Sequence, residues 1–284
     1  MTTVAPGQCM SCQSDLTGPY CAHCGEVAHA HDYSLTHFLH ELLETTAHVD
    51  GRVFASFRAL LTQPGQLALD FLAGRRKAQM GPVQLFLVCN VIYFLMLPFT
   101  LFATFTTTLG IHINGGYWWG RLAYEMASAH ITAHHLTWQE YTREFNETAH
   151  LQGHTLLILI VPGFALGLWA LYGRTRRFYA EHLVLAFYTW AFGLLWLGAS
   201  TIAISVGYKW AYVHGWRLSG TILEIGSDVL IGGVFALYLS IAARRLYRES
   251  WLMCAWKSAV AVVWLNLVMD AYKFVLFFTT FYRT

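Results

Sequence analysis

The sequence predicts an all-α polytopic membrane protein with about five transmembrane helices and a small N-terminal zinc ribbon. Three observations lead to this prediction. Hydrophobic residues make up 56% of the 284 residues and charged residues only 12%, where a soluble domain has about 25% charged residues. Five long apolar runs follow residue 82. Two Cys-x2-Cys pairs precede all of these runs.

The stretch CMSCQSDLTGPYCAHCG, residues 9–25, has the spacing of a small metal-binding knuckle. Its pairs are Cys9 with Cys12 and Cys21 with Cys24. A gap of two residues lets both sulfurs of a pair reach one tetrahedral ion, and four thiolates suit Zn²⁺, with iron as the alternative. Because four cysteines leave no open position for water, the sequence predicts a structural zinc ion.

The distribution of basic residues predicts the side of the membrane on which this ribbon lies. Two disulfides are the alternative state of the four cysteines, and they require an oxidising compartment. Lysine and arginine concentrate in cytoplasmic loops. The segments expected inside are rich in them: Arg75, Arg76, Lys77, Arg174, Arg176, Arg177, Arg244, Arg245, Arg248 and Lys257. The sequence therefore predicts a cytoplasmic N-terminus, reduced cysteines and a C-terminus outside.

Three segments follow one another along the chain. Residues 1–30 hold the ribbon, and residues 82–284 form the transmembrane domain. Between them, residues 31–81 have the spacing of three short amphipathic helices, the first starting at Ser34, which would lie at the membrane or against the bundle. A span takes about 20 residues, or roughly 17 at the least. The predicted spans are 83–105, 155–172, 182–206, 221–242 and 256–281.

An outer loop at 107–154 separates the first two spans. Its pattern of apolar residues predicts two helices, at about 117–136 and 138–150. The chain has 14 histidines, and two pairs in this loop are spaced to share a helix face: His130 with His134, and His150 with His154. Such pairs suit a transition metal, with Glu147 as the best third ligand. Interfacial or capping histidines are the alternative interpretation.

The order of motifs over the first 100 residues resembles a bacterial membrane family catalogued as domain of unknown function 3667. The matching motifs are the ribbon from Cys9 to Gly25, His48-x-Asp50, Pro64-Gly65, Gly74-Arg75-Arg76-Lys77, Pro82 and, further along, Glu181-His182-Leu183-Val184. Where the family has histidines later in the third span, this chain has Tyr188 and Trp190. The resemblance implies a bacterial inner-membrane protein of this topology. It implies no activity, because the family has none assigned.

Charged groups within the predicted spans are candidates for function, because ionised side chains are costly in lipid. Four of them fall at a similar depth in the fourth and fifth spans: Glu224, Asp228, Asp270 and Lys273. One interpretation is an ion pair between Asp270 and Lys273 that holds helices together. The other is a polar pocket for a small ion or a lipid headgroup.

Glu181 and His182 form a second candidate pair, at the cytoplasmic end of the third span. A carboxylate at a helix N-terminus is stabilised by the helix dipole, which is enough to explain Glu181. A proton relay or a metal site formed by the two residues is the alternative.

The function that the sequence favours is a regulatory, assembly or scaffold role. In this hypothesis the ribbon recruits a protein partner at the cytoplasmic surface of a bacterial inner membrane. A transporter that uses the polar groups of the fourth and fifth spans is the first alternative, and a membrane-embedded enzyme that uses the outer-loop histidines is the second. Catalysis has little support, since no nucleophile motif or phosphate-binding loop is present. The net charge of +2, without a basic tract, argues against nucleic acid.

Overall fold

The computed structural model describes residues 8–9, 12–18, 20–25, 51–100, 105, 107–175, 178–216 and 220–284, and for 154 and 220–225 it describes only the backbone. The first predicted amphipathic helix lies outside these residues. The described part is almost wholly helical and contains no strand apart from one isolated β-bridge between Gln8 and Asp15. Its α-helices are α1 Gly51–Thr62, α2 Gln66–Leu72, α3 Pro82–Met96, α4 Leu109–Asn114, α5 Gly120–His134, α6 Trp138–Leu156, α7 Ile160–Tyr172, α8 Tyr179–Val213, α9 Gly220–Tyr247 and α10 Trp251–Phe281.

Five stretches of helix are long and apolar enough to cross a membrane, as the hydropathy pattern predicts. They are Pro82–Phe99, Leu157–Thr175, Tyr179–Val213, Gly226–Tyr247 and Trp251–Phe281. The first ends before its predicted limit at 105, because the backbone tightens into a 3₁₀ turn at Leu97–Phe99 around Pro98, which cannot continue the hydrogen-bond ladder of an α-helix. The third extends beyond its predicted run at both ends, and the fifth begins five residues before its predicted run and ends with it.

Helix α8 is the centre of the bundle. It packs against α3, α7 and α9, and 78% of its most apolar stretch is buried, against 28% for α10. Helix α10 lies on α7 and α9 and leaves its outward face free. An outward apolar face on a helix of this length is typical of a lipid-facing span.

Helices α1 and α2 form a short hairpin packed against the bundle, where the second and third amphipathic helices are predicted. The Tyr238 hydroxyl of α9 donates to the Leu60 carbonyl at 2.9 Å, and Arg245 donates to the Pro64 carbonyl at 2.8 Å. Gly65 turns the chain with φ +79°. A Cβ atom at Gly65 would lie 2.8 Å from the backbone of Ala242, so only glycine permits this approach.

The loop between α3 and α7, which the sequence predicts to lie outside, folds into a small lobe that is called the outer lobe below. Helices α4, α5 and α6 contribute Leu109, Ala123 and Phe145 to a second apolar core, which Phe277 of α10 completes. Helix α10 is about 46 Å long at 1.5 Å per residue, whereas the hydrocarbon core of a bilayer is about 30 Å thick. The last turns of α10 therefore extend past the span and form one wall of the lobe.

Candidate functional sites

The four N-terminal cysteines come together in the structure. Their sulfur atoms all lie within 4.8 Å of one another, and the Cys9–Cys24 and Cys12–Cys21 sulfur distances are both 3.5 Å. A disulfide needs about 2.05 Å between sulfurs, and all six cysteines of the chain are free. Zinc–sulfur bonds of about 2.3 Å in a tetrahedron place the sulfurs about 3.8 Å apart. The spacing fits four thiolates around one ion.

Local backbone geometry creates this cluster. The Cys9 N–H donates to the Ser14 carbonyl at 2.8 Å, and the Gln13 N–H donates to the Cys9 carbonyl at 2.9 Å, which closes a tight turn around the first pair. The Gly25 N–H donates to the Cys21 carbonyl at 2.8 Å, with φ +71° at Gly25. Glycine adopts this φ without steric cost. Two short turns thus direct both pairs toward the same point.

Ser14 stabilises the thiolate form of two of the cysteines, a role that the cysteine spacing alone does not reveal. Its hydroxyl lies 2.9 Å from the Cys12 sulfur and 3.1 Å from the Cys21 sulfur. The Ser14 hydroxyl, followed by the backbone N–H of Cys24, lowers the pKa of Cys21 to about 5. The Ser14 side chain and backbone also lower the pKa of Cys12. Because thiolates are the metal-binding form of cysteine, this environment favours a metal ion.

A buried carboxylate organises the segment that follows α2. Asp70 is 8% exposed and accepts hydrogen bonds from Gln66 at 2.8 Å, from Gln79 at 3.0 Å and from the Arg75 guanidinium, with which it forms an ion pair. Arg76 lies 4.4 Å from the centroid of the Phe71 ring. These contacts fix the segment after α2 that contains Arg75, Arg76 and Lys77, which is called the basic loop below. The ribbon lies next to this loop, since the Lys77 amine is 3.8 Å from the position of a Cβ atom at Gly25.

The predicted polar group of the fourth and fifth spans contacts the outer lobe. The Lys273 amine donates to the Tyr117 hydroxyl at 2.8 Å, and no ion pair joins Lys273 to Asp270, both of which the structure describes. Asp228 is exposed, and the Glu224 side chain lies outside the described part. Lys273 stands about 33 Å along α10 from Trp251, so a bilayer core of about 30 Å that begins at Trp251 would end near Lys273. Its long side chain reaches the phenol there.

His182 belongs to a polar and aromatic cluster that joins four helices at the end of the bundle that carries Arg174 and Arg245. Its Nδ1 atom lies 2.6 Å from the Tyr247 hydroxyl, and the Tyr247 ring stacks on Tyr172 with 4.1 Å between centroids. The Lys257 amine lies 4.3 Å from the Tyr172 centroid and forms an ion pair with Glu249 at 2.7 Å. Helices α7, α8, α9 and α10 each contribute to this cluster. Sequence spacing identified only His182 and its neighbour Glu181, the acidic residue in the first turn of α8.

The outer-loop histidines differ in their surroundings. The His130 and His134 rings lie side by side on α5, with 4.3 Å between centroids. Burial, followed by the nearby His134, lowers the pKa of His130, and Glu144 opposes this shift. His150 is exposed on α6, and the His154 side chain lies outside the described residues. Among the residues that the structure describes, only the four cysteines form a group of three or more close metal-ligating atoms.

Another histidine of the loop, His112, is buried in the outer lobe, and no sequence spacing indicates its burial. Its side chain is fully buried, its ring packs against Phe145 and Phe277, and neither ring nitrogen has a hydrogen-bond partner. Burial, followed by the positive charge of Lys273, lowers the pKa of His112 to about 4. The imidazole is therefore neutral in the folded lobe at pH 7.

We expect acid to destabilise the outer lobe through His112. An unfolded histidine titrates near pH 6.5, so between pH 6.5 and about 4 the unfolded chain binds a proton that the folded lobe excludes, at a cost of up to about 3 kcal/mol. His112→Leu should therefore flatten the pH dependence of the thermal unfolding midpoint in detergent. His135→Asn, at an exposed histidine with φ +55°, is the matched control and should keep the wild-type slope. Equal slopes for wild type and His112→Leu would refute this role.

Comparison with known proteins identifies one segment of the chain. Residues 50–94 match the family described as protein of unknown function (DUF3667), which confirms the resemblance seen in the motifs over this segment. The match covers α1, α2, the Asp70 network, the basic loop and most of α3. No curated protein and no solved structure gives a significant match.

Proposed function

We propose that this chain is a multi-pass protein of a bacterial inner membrane whose zinc ribbon, on the cytoplasmic side, recruits a protein partner to the membrane surface. The observation that carries the proposal is the convergence of four cysteine sulfurs ahead of five helices that are long and apolar enough to span a membrane. A four-sulfur shell has no open position for a substrate. The contribution of the metal is therefore to fold a small surface, and such a surface serves in binding.

The charge pattern supports a cytoplasmic ribbon. The basic loop after α2, Arg174 after α7 and Arg245 near the end of α9 all flank the spans at one end of the bundle. Lys77 of the basic loop lies close to Gly25 of the ribbon. Because loops rich in lysine and arginine stay in the cytoplasm, the ribbon belongs on that side. The reducing cytosol keeps its thiols available for zinc.

Tyr20 is the ribbon residue best placed to contact a partner. Its side chain is 63% exposed and lies one position before the metal-binding Cys21. Tyrosine is enriched in protein interfaces because it offers a large rigid ring with a hydroxyl. A partner that contacts this ring would lie at the membrane surface, next to the basic loop.

A photo-crosslinking amino acid in place of Tyr20 tests the proposal in living cells. We expect a crosslink to a soluble protein, and we expect the Cys9→Ser/Cys21→Ser variant to lose it because the ribbon no longer folds. Cys254→Ala, at a buried cysteine of α10, should keep the product. The same crosslinker at Trp118, which is 78% exposed on the outer lobe, should not give it. Absence of a crosslink from Tyr20, or its persistence without the ribbon, would contradict recruitment.

A further inference from the structure

We propose that the outer lobe carries a second metal site, in which His130 and His134 of α5 bind one divalent transition-metal ion and Glu144 of α6 supplies a third ligand. This site lies in a different segment of the chain from the ribbon, and its donors are nitrogen and oxygen atoms, whereas the ribbon offers sulfur. Imidazole and carboxylate ligands suit Zn²⁺, Ni²⁺ and Cu²⁺, with affinity in the order of the Irving–Williams series. The ion would come from the solution on the outer side of the membrane.

The geometry of α5 brings the two imidazoles together. Residues four apart on a helix lie on the same face, and the two rings are 4.3 Å apart between centroids and inclined by 30°. A metal–imidazole bond is about 2.0–2.1 Å long, so small rotations of the two rings let both reach one ion. His134 is exposed, which leaves the remaining coordination positions open to water.

His130 is held in place by the lobe. Its ring packs against Tyr141, with 5.0 Å between centroids, and against Phe281, with 5.7 Å. Tyr141 comes from α6 and Phe281 from the end of α10. Since these contacts restrict the His130 side chain before any ion binds, less conformational entropy is lost on coordination. An isolated histidine pair on a free helix lacks this support.

Glu144 supplies the negative charge that a divalent ion needs. Its negative charge raises the pKa of His130, but its oxygen atoms do not lie within coordinating distance of both imidazoles, so the Glu144 side chain has to turn before it can bind the ion. The side chain is exposed on α6, facing solvent, so it can turn toward the histidine pair without disturbing the apolar core. Glu147 and His150, the residues favoured by sequence spacing, lie further along α6.

Equilibrium dialysis of the full-length protein against Ni²⁺, purified without a histidine tag, tests this site. We expect one equivalent of Ni²⁺ to bind beyond the metal held by the ribbon, and His134→Ala to lose that equivalent. His135→Ala is the matched control, because His135 is the exposed neighbour outside the pair, and it should bind as the wild type does. Glu144→Gln should weaken binding by at least about tenfold, since even the loss of an outer-shell partner of a metal ligand has an effect of that size.

The outcomes separate this site from the ribbon, because the zinc content is measured in the same samples. A wild-type protein that takes up no additional Ni²⁺ would overturn the proposal whatever the ribbon contains. Full uptake by His134→Ala, or an equal loss with His135→Ala, would show nonspecific binding and would also overturn it. Unchanged affinity in Glu144→Gln would remove Glu144 from the site.

Discussion

Replacing Cys9 and Cys21 by serine is expected to release the metal and unfold the ribbon while the helical bundle stays folded. Structural zinc contributes an apparent binding free energy of about 10–16 kcal/mol in small zinc domains, and this energy is their folding energy. The two cysteines are the buried ones, at 1% and 2% exposure. No apolar cluster of the described residues lies within the ribbon to replace them.

Metal content and limited proteolysis of the same sample measure this effect. The variant should contain less than a tenth of the wild-type zinc, and protease should cut within residues 8–25 while the bundle resists. Cys254→Ala and Cys89→Ala remove buried cysteines of the bundle and should retain the metal. Retention of zinc by the double serine variant would show that the metal lies elsewhere.

Gly65→Ala is expected to be among the most destabilising single substitutions outside the ribbon. A Cβ atom at this position would lie 2.8 Å from the Ala242 Cα and carbonyl oxygen. These are backbone atoms of α9, which cannot rotate away. The substitution also places a side chain at φ +79°, which costs about 1 kcal/mol or more for a residue other than glycine. We expect a total loss of about 2–4 kcal/mol in stability.

The matched control for this effect is Gly173→Ala. Gly173 has φ −59°, and nothing lies within 4 Å of a Cβ atom there, so the change should leave the thermal midpoint in detergent nearly unaltered. The same midpoint should fall by several degrees in Gly65→Ala. If both variants unfold at the wild-type temperature, the α1–α2 hairpin does not pack against α9 as described.

The features that sequence could predict are those determined locally. Length and apolarity identify the five spans, because a bilayer requires both within one continuous stretch. The spacing within Cys9–Cys12 and Cys21–Cys24 likewise indicates a shared ion without any knowledge of the remainder of the chain. The early end of the first span was not predicted, because the hydropathy pattern continues past Pro98 to residue 105 while the helix ends at Phe99.

The features that sequence missed depend on contacts between distant parts of the chain. Lys273 contacts Tyr117 across 156 positions, and His182 contacts Tyr247 across 65 positions. Neither Tyr117 nor Tyr247 lies at a sequence spacing that would indicate the contact. Asp70 has its partners within nine positions, yet its loop has no regular period, so no helix-face pattern indicates the network. The rings of Phe145 on α6 and Phe277 on α10 pack against His112, and its own sequence neighbourhood does not indicate this burial.

Zinc-edge X-ray absorption on the purified His130→Ala/His134→Ala variant, which lacks the outer-lobe ligands, tests the zinc ribbon most directly. We expect one zinc ion per chain with four sulfur neighbours at about 2.3 Å. A shell of nitrogen or oxygen ligands, or a metal-free protein with the four cysteines joined as disulfides, would contradict it.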